Sequence, residues 1–146
     1  MNFRSFSTGC ADPTTCGATV SDTGLQQGQG MHGSFSRAET QNIMAALGPS
    51  FRKKFVDTAP ASNADIGRTM AHLLALKIAD KGKLTGRVLS EAMPNGAMPK
   101  VQSATVRSDR DAEGHVTVLM TQSADGTVYF DVAGYPGRTL GLPAEK

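Results

Sequence analysis

The spacing of apolar and polar residues differs between two parts of the chain, and it predicts helices in the first part and β-strands in the second. Within 37–47 and 64–78 the apolar positions recur at helical spacing. After residue 100 they recur with a period of two, which is typical of half-buried β-strands, and hairpin-type turn residues interrupt the pattern at 111–114 and 124–126. The strands predicted in this way are 103–107, 116–121 and 127–132.

The first predicted helix begins with a capping-box pattern. Ser36 stands at the N-cap and Glu39 three residues later, an arrangement in which each side chain can bind the backbone of the other residue. Gly48 suits the C′ position and Pro49 prevents continuation, so the helix is expected over 37–47. Its inner side is predicted to carry Ile43, Met44 and Leu47.

The second predicted helix, over 64–78, has the clearest amphipathic pattern in the chain. Ser62 or Asn63 is expected to cap it. His72 falls on the polar side and is interpreted as a surface histidine. The side predicted to face the core carries Ile66, Met70, Leu73, Leu74 and Lys77.

The remaining stretches carry weaker patterns. Residues 1–17 show no periodicity and are expected to be irregular, whereas 18–21 is a short β-prone run. Short strands are predicted at 51–56, with its basic residues exposed, and at 87–89. Residues 134–146 form a tail rich in Gly and Pro.

The candidate chemistry lies in the stretch 29–37, where His32 stands between glycines just ahead of a predicted helix start. Glycines let the backbone approach a ligand closely, and a loop histidine there suits a metal or phosphate site. Taken alone, a single histidine more often marks a turn without chemistry. No GxSxG, HExxH or P-loop pattern accompanies it, so the residues by themselves define no complete active site.

Composition narrows the classes of partner. The chain of 146 residues is long enough for one domain, and its formal net charge of +2 gives no indication of nucleic-acid or anionic-membrane binding. No apolar run approaches the ~20 residues of a membrane span, and the first residues lack the apolar core of a signal peptide. The spacing of Cys10 and Cys16 permits a small disulfide loop in an oxidising compartment and leaves their bonding state open.

Three segments carry recognisable motifs: His-Gly-Ser at 32–34, Met-Ala-Ala-Leu-Gly-Pro-Ser-Phe at 44–51, and the helical stretch 63–76 that ends in Leu-Leu-Ala-Leu. Together they resemble the C-terminal part of the alkaline phosphatase superfamily, most closely its type I phosphodiesterase/nucleotide pyrophosphatase branch. Their order and spacing agree with the family over about residues 20–90.

The resemblance implies an α/β fold, namely the C-terminal part of an alkaline-phosphatase-like α/β/α sandwich followed by an antiparallel β-hairpin or meander. The corresponding division is a partial core over 1–100 and a β-hairpin extension and tail over 101–146. A partial sandwich is expected to leave strand edges and apolar helix faces uncovered.

The resemblance also implies a metal-dependent phosphoester hydrolase, with two divalent metals, expected to be zinc, and a small phosphoester as substrate. It assigns His32 to one metal and identifies no catalytic or other cofactor-binding residue in this chain. The nucleophile and remaining ligands would precede Met1, so we expect the isolated chain to be inactive. The location of the parent protein stays open, with a periplasmic or secreted one compatible. The alternative is a non-enzymatic module that binds an anion at the glycine loop or a protein partner through the C-terminal hairpins.

Overall fold

Two α-helices and two small antiparallel sheets form the regular structure in the part of the chain described by the computed structural model, which comprises residues 3–21, 24, 29, 34–78 and 86–144. The mixed α/β class is therefore as predicted. No helix in these ranges combines the length and apolar character needed to cross a bilayer. The chain divides into two compact units, the first made of 1–43, 104–121 and 130–146, the second of 44–103 and 122–129.

The chain begins with a β-hairpin in the first unit. Strand β1 (Phe3–Ser7) pairs antiparallel with β2 (Gly17–Ser21), so the irregular lead-in expected over 1–17 is wrong. The strand has little pattern of its own because its stability comes from the ladder with β2 rather than from a buried face. A disulfide joins Cys10 to Cys16 in the loop between the two strands.

The first helix, α1, spans only Arg37–Thr40, so the helix predicted over 37–47 is mostly wrong. The capping box that suggested it is not formed: the hydroxyl of Thr19 donates to the Glu39 carboxylate at 3.3 Å, and the Ser36 side chain makes no cap hydrogen bond. A helix without a cap and without a buried apolar face gains too little to offset its backbone entropy. The residues expected on its inner side, Ile43, Met44 and Leu47, are exposed.

The second helix, α2, spans Asn63–Leu73 in the second unit, as predicted except at its C-terminal end. Ser62 is the N-cap residue, and its backbone N–H donates to the carboxylate of Asp65 at 2.7 Å. Ala75 has a φ of 51°, a left-handed conformation that no helix continues through, so the helix does not reach residue 78.

The face that α2 buries is not the predicted one. Asp65 and Thr69 are buried, with exposed fractions of 0% and 4%, whereas Ile66 and Met70 remain about half exposed. The predicted inner side is therefore wrong. Specific hydrogen bonds to Asp65 and Thr69, described below, fix this orientation against the apolar pattern.

The short strands predicted at 51–56 and 87–89 are not formed. In the second of these stretches the backbone N–H of Leu89 donates to the Thr69 hydroxyl at 3.0 Å instead of to a neighbouring strand. A short 3₁₀ helix, Ser90–Ala92, follows directly. The backbone N–H groups of Arg87 and Leu89 donate to the side chains of Asp65 and Thr69, so they are not available for hydrogen bonds to a neighbouring strand.

All three strands predicted after residue 100 are formed, but the second begins two residues later than predicted, and the first is exposed on both faces instead of half-buried. Strands β3 (Val101–Arg107), β4 (Val118–Ala124) and β5 (Thr127–Gly134) form a sheet in the order β3-β4-β5. Asp125 and Gly126 turn β4 into β5 with φ values of 49° and 79°, the positive values of a tight hairpin turn. The first unit has an apolar core in which Val118 of β4 and Val132 of β5 pack with Val116 and Leu142.

Candidate functional site

The residue that the family resemblance assigns to a metal, His32, lies outside the described residues, so its role stays a prediction. The structure describes the chain again from Ser34, two residues further on. The segment 34–40, which follows His32 in the chain, is held by the contacts described below.

Backbone hydrogen bonds anchor this segment within the first unit. The carbonyl oxygen of Phe35 accepts the N–H of Ala133, in β5, at 2.9 Å. The N–H of Arg37 donates to the carbonyl oxygen of Leu140 at 3.0 Å. The ring of Phe35 also lies 5.1 Å from that of Phe130, centroid to centroid. The chain from Ser34 onward is thus fixed to β5 and to the C-terminal tail.

An ion pair strengthens the same attachment. The guanidinium of Arg37 donates twice to the carboxylate of Asp131, from Nε at 2.9 Å and from an Nη at 2.7 Å. This hydrogen bonding raises the pKa of Arg37 above its usual range. The hydroxyl of Thr40 donates to the carbonyl oxygen of Asp131 at 2.6 Å. A bidentate pair of this kind fixes orientation as well as distance.

The Ser36 side chain is the unexplained polar group of this segment. Its residue is fully buried, and its hydroxyl has no hydrogen-bond partner among the residues that the structure describes. The backbone N–H of Ser36 donates to the hydroxyl of Ser34 at 3.2 Å. The sequence predicted a capping role for Ser36, and the structure instead uses the residue as a small buried spacer.

A second group of polar residues is buried in the second unit, where α2 meets the segment 86–91. The carboxylate of Glu91 is fully buried and accepts hydrogen bonds from both terminal nitrogens of Arg87, one at 2.9 Å. Arg87 also donates to the carbonyl oxygen of Pro60 at 3.1 Å. Asp65 accepts the backbone N–H groups of Ser62 and Arg87, one on each carboxylate oxygen, at 2.7 and 2.8 Å.

The ionisation of these groups follows from their partners. Burial acts to raise the pKa of Glu91, but the hydrogen bonds from Arg87 outweigh it and the pKa is lowered. Burial raises the pKa of Asp57, and the neighbouring charge of Glu91 adds to the rise. Burial also raises the pKa of Tyr129 to about 12. The Arg87 guanidinium lies 5.9 Å from the Tyr129 ring.

This cluster holds structure together rather than offering open ligand positions. Both oxygens of Asp65 accept backbone donors, and both oxygens of Glu91 accept Arg87. In the ranges that the structure covers, no three His, Cys, Asp or Glu side chains are grouped so that they could hold a metal ion. His72 is exposed, as its position on the polar side of the helix predicted.

The sequence did not predict that Asp65, Arg87 and Glu91 form a buried polar cluster. One local signal was available: Ser62 and Asp65 have the spacing of a capping box, the same pattern that misled at Ser36. The contact between Asp65 and the backbone of Arg87 spans 22 residues, and no local pattern encodes it.

Comparison of the chain with protein-family models, with curated proteins and with solved structures finds no match in any of the three.

Proposed function

We propose that this chain is the C-terminal segment of a metal-dependent phosphoester hydrolase of the alkaline phosphatase superfamily, in which His32 supplies one ligand to a divalent metal, expected to be zinc. The finer fold that goes with this proposal is the C-terminal part of an α/β/α sandwich. The proposal starts from the resemblance of 32–34, 44–51 and 63–76 to that family.

The observation that carries the proposal is the exposure of apolar side chains in the second unit. Leu47 and Val56 are 101% and 81% exposed, and Ile66 and Met70 of α2 and its C-cap residue Leu74 are between 44% and 60% exposed. Where such side chains form one patch, the patch marks a face that another part of a protein covers. In a sandwich, helix faces of this sort pack on the central sheet. The exposed large apolar residues of the unit include Met44, Leu47, Val56, Ile66, Met70, Leu74, Leu76 and Ile78.

The anchoring of residues 34–40 supports the role given to His32. A metal ligand has to be held to within a fraction of an ångström by its surroundings. The Arg37–Asp131 ion pair and the backbone bonds of Phe35 and Arg37 fix the chain a few residues after His32. Such anchoring of the following segment is what a metal-ligating residue at position 32 would require.

The chain supplies part of such a site. Catalytic metal sites use three or more protein ligands, and a bound metal would activate the nucleophile and stabilise the departing oxygen. One histidine cannot hold a catalytic metal, so the remaining ligands and the nucleophile have to come from elsewhere. The isolated chain should therefore not hydrolyse p-nitrophenyl phosphate or the corresponding diester. Zinc-dependent turnover by the isolated chain, abolished by a chelator, would contradict the proposal.

The decisive experiment uses the longer reading frame. The DNA upstream of Met1 is read for an in-frame region with Asp and Thr or Ser residues suited to metal binding and nucleophilic attack, and the extended protein is then assayed for zinc-dependent diester hydrolysis. His32→Ala should lower metal affinity or activity by at least the ~10–100-fold typical of losing even an outer-shell partner of a metal ligand. His72→Ala is the matched control and should change neither. An unchanged zinc content and rate in His32→Ala would remove the assignment.

A further inference from the structure

Strand β3 is the most exposed regular element of the described chain. It lies at one edge of the sheet β3-β4-β5, and all seven of its residues are exposed, on both faces of the strand. An exposed strand edge of this length is a template for pairing with another strand. Such edges normally carry Lys, Pro or a bulge, and the sequence Val-Gln-Ser-Ala-Thr-Val-Arg contains no Lys, Pro or Gly.

The two outer strands of the sheet differ in what engages them. The backbone of β5 is also bonded by the segment 35–40, through Ala133 N–H to Phe35 and through the Thr40 hydroxyl to the carbonyl of Asp131. For β3, no described residue outside the sheet bonds to the backbone of Val101, Ser103 or Thr105.

The pairing of β3 with β4 shows which backbone groups face the open edge. The N–H of Ser108 donates to the carbonyl oxygen of Thr117 at 3.0 Å. Continued into the strands, this register places Val101 opposite Ala124, which are the first residue of β3 and the last of β4. Hydrogen-bonded pairs alternate along an antiparallel ladder. The even-numbered residues of β3 therefore bond to β4, and the odd-numbered ones direct their N–H and C=O groups outwards.

We propose that the open edge of β3 is a homodimer interface, where it pairs antiparallel with β3 of a second copy about a two-fold axis at Ala104. Closed two-fold assembly requires a surface that complements itself. The outward groups meet this requirement, because the axis at Ala104 sets Ser103 of each copy opposite Thr105 of the other. Two three-stranded sheets then become one continuous six-stranded sheet. This interface goes beyond the proposed hydrolase function and does not depend on it.

The charge of the strand is compatible with pairing to itself. Arg107 is the one charged residue in β3 and stands at its end. In the two-fold arrangement the two Arg107 residues lie at opposite ends, about 20 Å apart at the usual rise per residue, so their repulsion is screened. The neutral centre, Ser103 to Thr105, meets the neutral centre of the partner.

Sedimentation measurements on the full chain test the proposal. The wild-type chain should sediment with twice its mass of 15.3 kDa at micromolar concentration. Thr105→Pro removes an outward N–H from an edge strand, where proline is tolerated, and should sediment as a monomer. Thr105→Val keeps that N–H and should stay dimeric. Circular dichroism checks that Thr105→Pro keeps its β-structure.

Disulfide trapping locates the axis independently. Residues on the axis form a non-hydrogen-bonded pair with Cα atoms about 4.5 Å apart, within disulfide range, so Ala104→Cys should give a covalent dimer on oxidation. The matched control, Val106→Cys, places its thiols about 13 Å apart along the strands and should cross-link far less. If Thr105→Pro fails to fold, the comparison of Ala104→Cys with Val106→Cys tests the interface without it.

Three results would contradict the proposed interface. The first is a monomeric wild-type chain, as expected if another strand of a longer protein covers β3. The second is a dimer that persists in Thr105→Pro, as expected if the apolar face of α2 causes association, and the third is equal cross-linking of Ala104→Cys and Val106→Cys.

Discussion

The first unit buries mainly valine and leucine side chains, whereas the second buries charged groups alongside Leu89 and Tyr129. Val116, Val118 and Val132 pack together beside the C-terminal strands with almost no exposed surface. In the second unit the side chains with no exposure are Asp65 and Glu91, while Ile66 on the same helix is 44% exposed.

The difference shows that apolar periodicity predicts the buried side chains better in the first unit than in the second. Apolar burial is non-directional, so the valines of the meander are buried wherever a sheet face meets another layer. Buried charges are costly unless each finds a partner with correct geometry. Once Asp65 and Thr69 have bound the segment 86–91, the helix orientation is fixed, and its apolar stripe is left for something else to cover.

The largest expected effect comes from breaking the buried ion pair. Glu91→Gln leaves the charge of Arg87 buried with a neutral partner and should lower the free energy of unfolding by about 3–5 kcal/mol. The double variant Arg87→Met with Glu91→Leu removes both charges and should lose clearly less than the single variant. Denaturant unfolding measures both. If the double variant loses as much as Glu91→Gln or more, the charges do not act as a pair.

The valine core of the first unit gives the next effect. Val132 is fully buried in β5, and Val132→Ala should cost about 2 kcal/mol for the lost apolar burial and the cavity. Val128, in the same strand, is 67% exposed, and Val128→Ala is the matched control with an expected loss below about 0.5 kcal/mol. Equal losses at the two positions would mean that the first unit has no specific core.

Two glycines test how closely the segment 86–91 lies against α2. A Cβ at Gly86 would stand 2.3 Å from the carbonyl oxygen of Ala64, so Gly86→Ala should cost about 1–3 kcal/mol. Gly67, inside α2, has nothing within 4 Å of a Cβ, and Gly67→Ala should instead stabilise by about 0.5–1 kcal/mol through better helix propensity. Thermal unfolding compares the two. A neutral Gly86→Ala would show that the segment is not held against the helix.

These cases also show which features of the fold could be predicted from the sequence. Turn chemistry is local, so Asp125 and Gly126 predicted the β4–β5 hairpin correctly. The existence of α2 followed from its periodicity, but the buried side did not, because the partners of Asp65 and Thr69 lie about 20 residues away. At Ser36 the local capping pattern failed, since Glu39 is bound by Thr19.

Strand β1 and the polar cluster were missed for the same physical reason. Both depend on contacts between distant parts of the chain, β1 on its ladder with β2 and Arg87 on Asp65. For the candidate site, the sequence predicted a histidine in a loop at position 32, but the anchoring of the next segment through Arg37 and Asp131 spans 94 residues. Local patterns carry no information about such pairs.

The smallest expected effect concerns the pH dependence of the second unit. The pKa of Asp57 is raised by burial and by the nearby charge of Glu91. A carboxyl group whose pKa is higher in the folded state gives its full stabilisation below its ordinary pKa of about 3.8, and that stabilisation is lost as the pH rises through the folded-state value. Asp57→Asn keeps an acceptor for the N–H of Ala59 and removes the charge. At pH 7 it should therefore be more stable than the wild type by up to about 0.5 kcal/mol, and the gain should vanish towards pH 4.

The control for this effect has the opposite sign. Hydrogen bonds from the backbone N–H groups of His115 and Glu113 lower the pKa of Asp111, so its stabilisation is present above its ordinary pKa and is lost as the pH falls. Asp111→Asn should accordingly be less stable than the wild type at pH 7 and equal to it in acid. Urea unfolding between about pH 2 and pH 7 compares the three proteins, because the effect at Asp111 is lost only below its ordinary pKa of 3.8. If Asp57→Asn is destabilised at pH 7 like Asp111→Asn, the carboxylate of Asp57 is a favourable member of the buried cluster, and the second unit depends on charge even more than its geometry indicates.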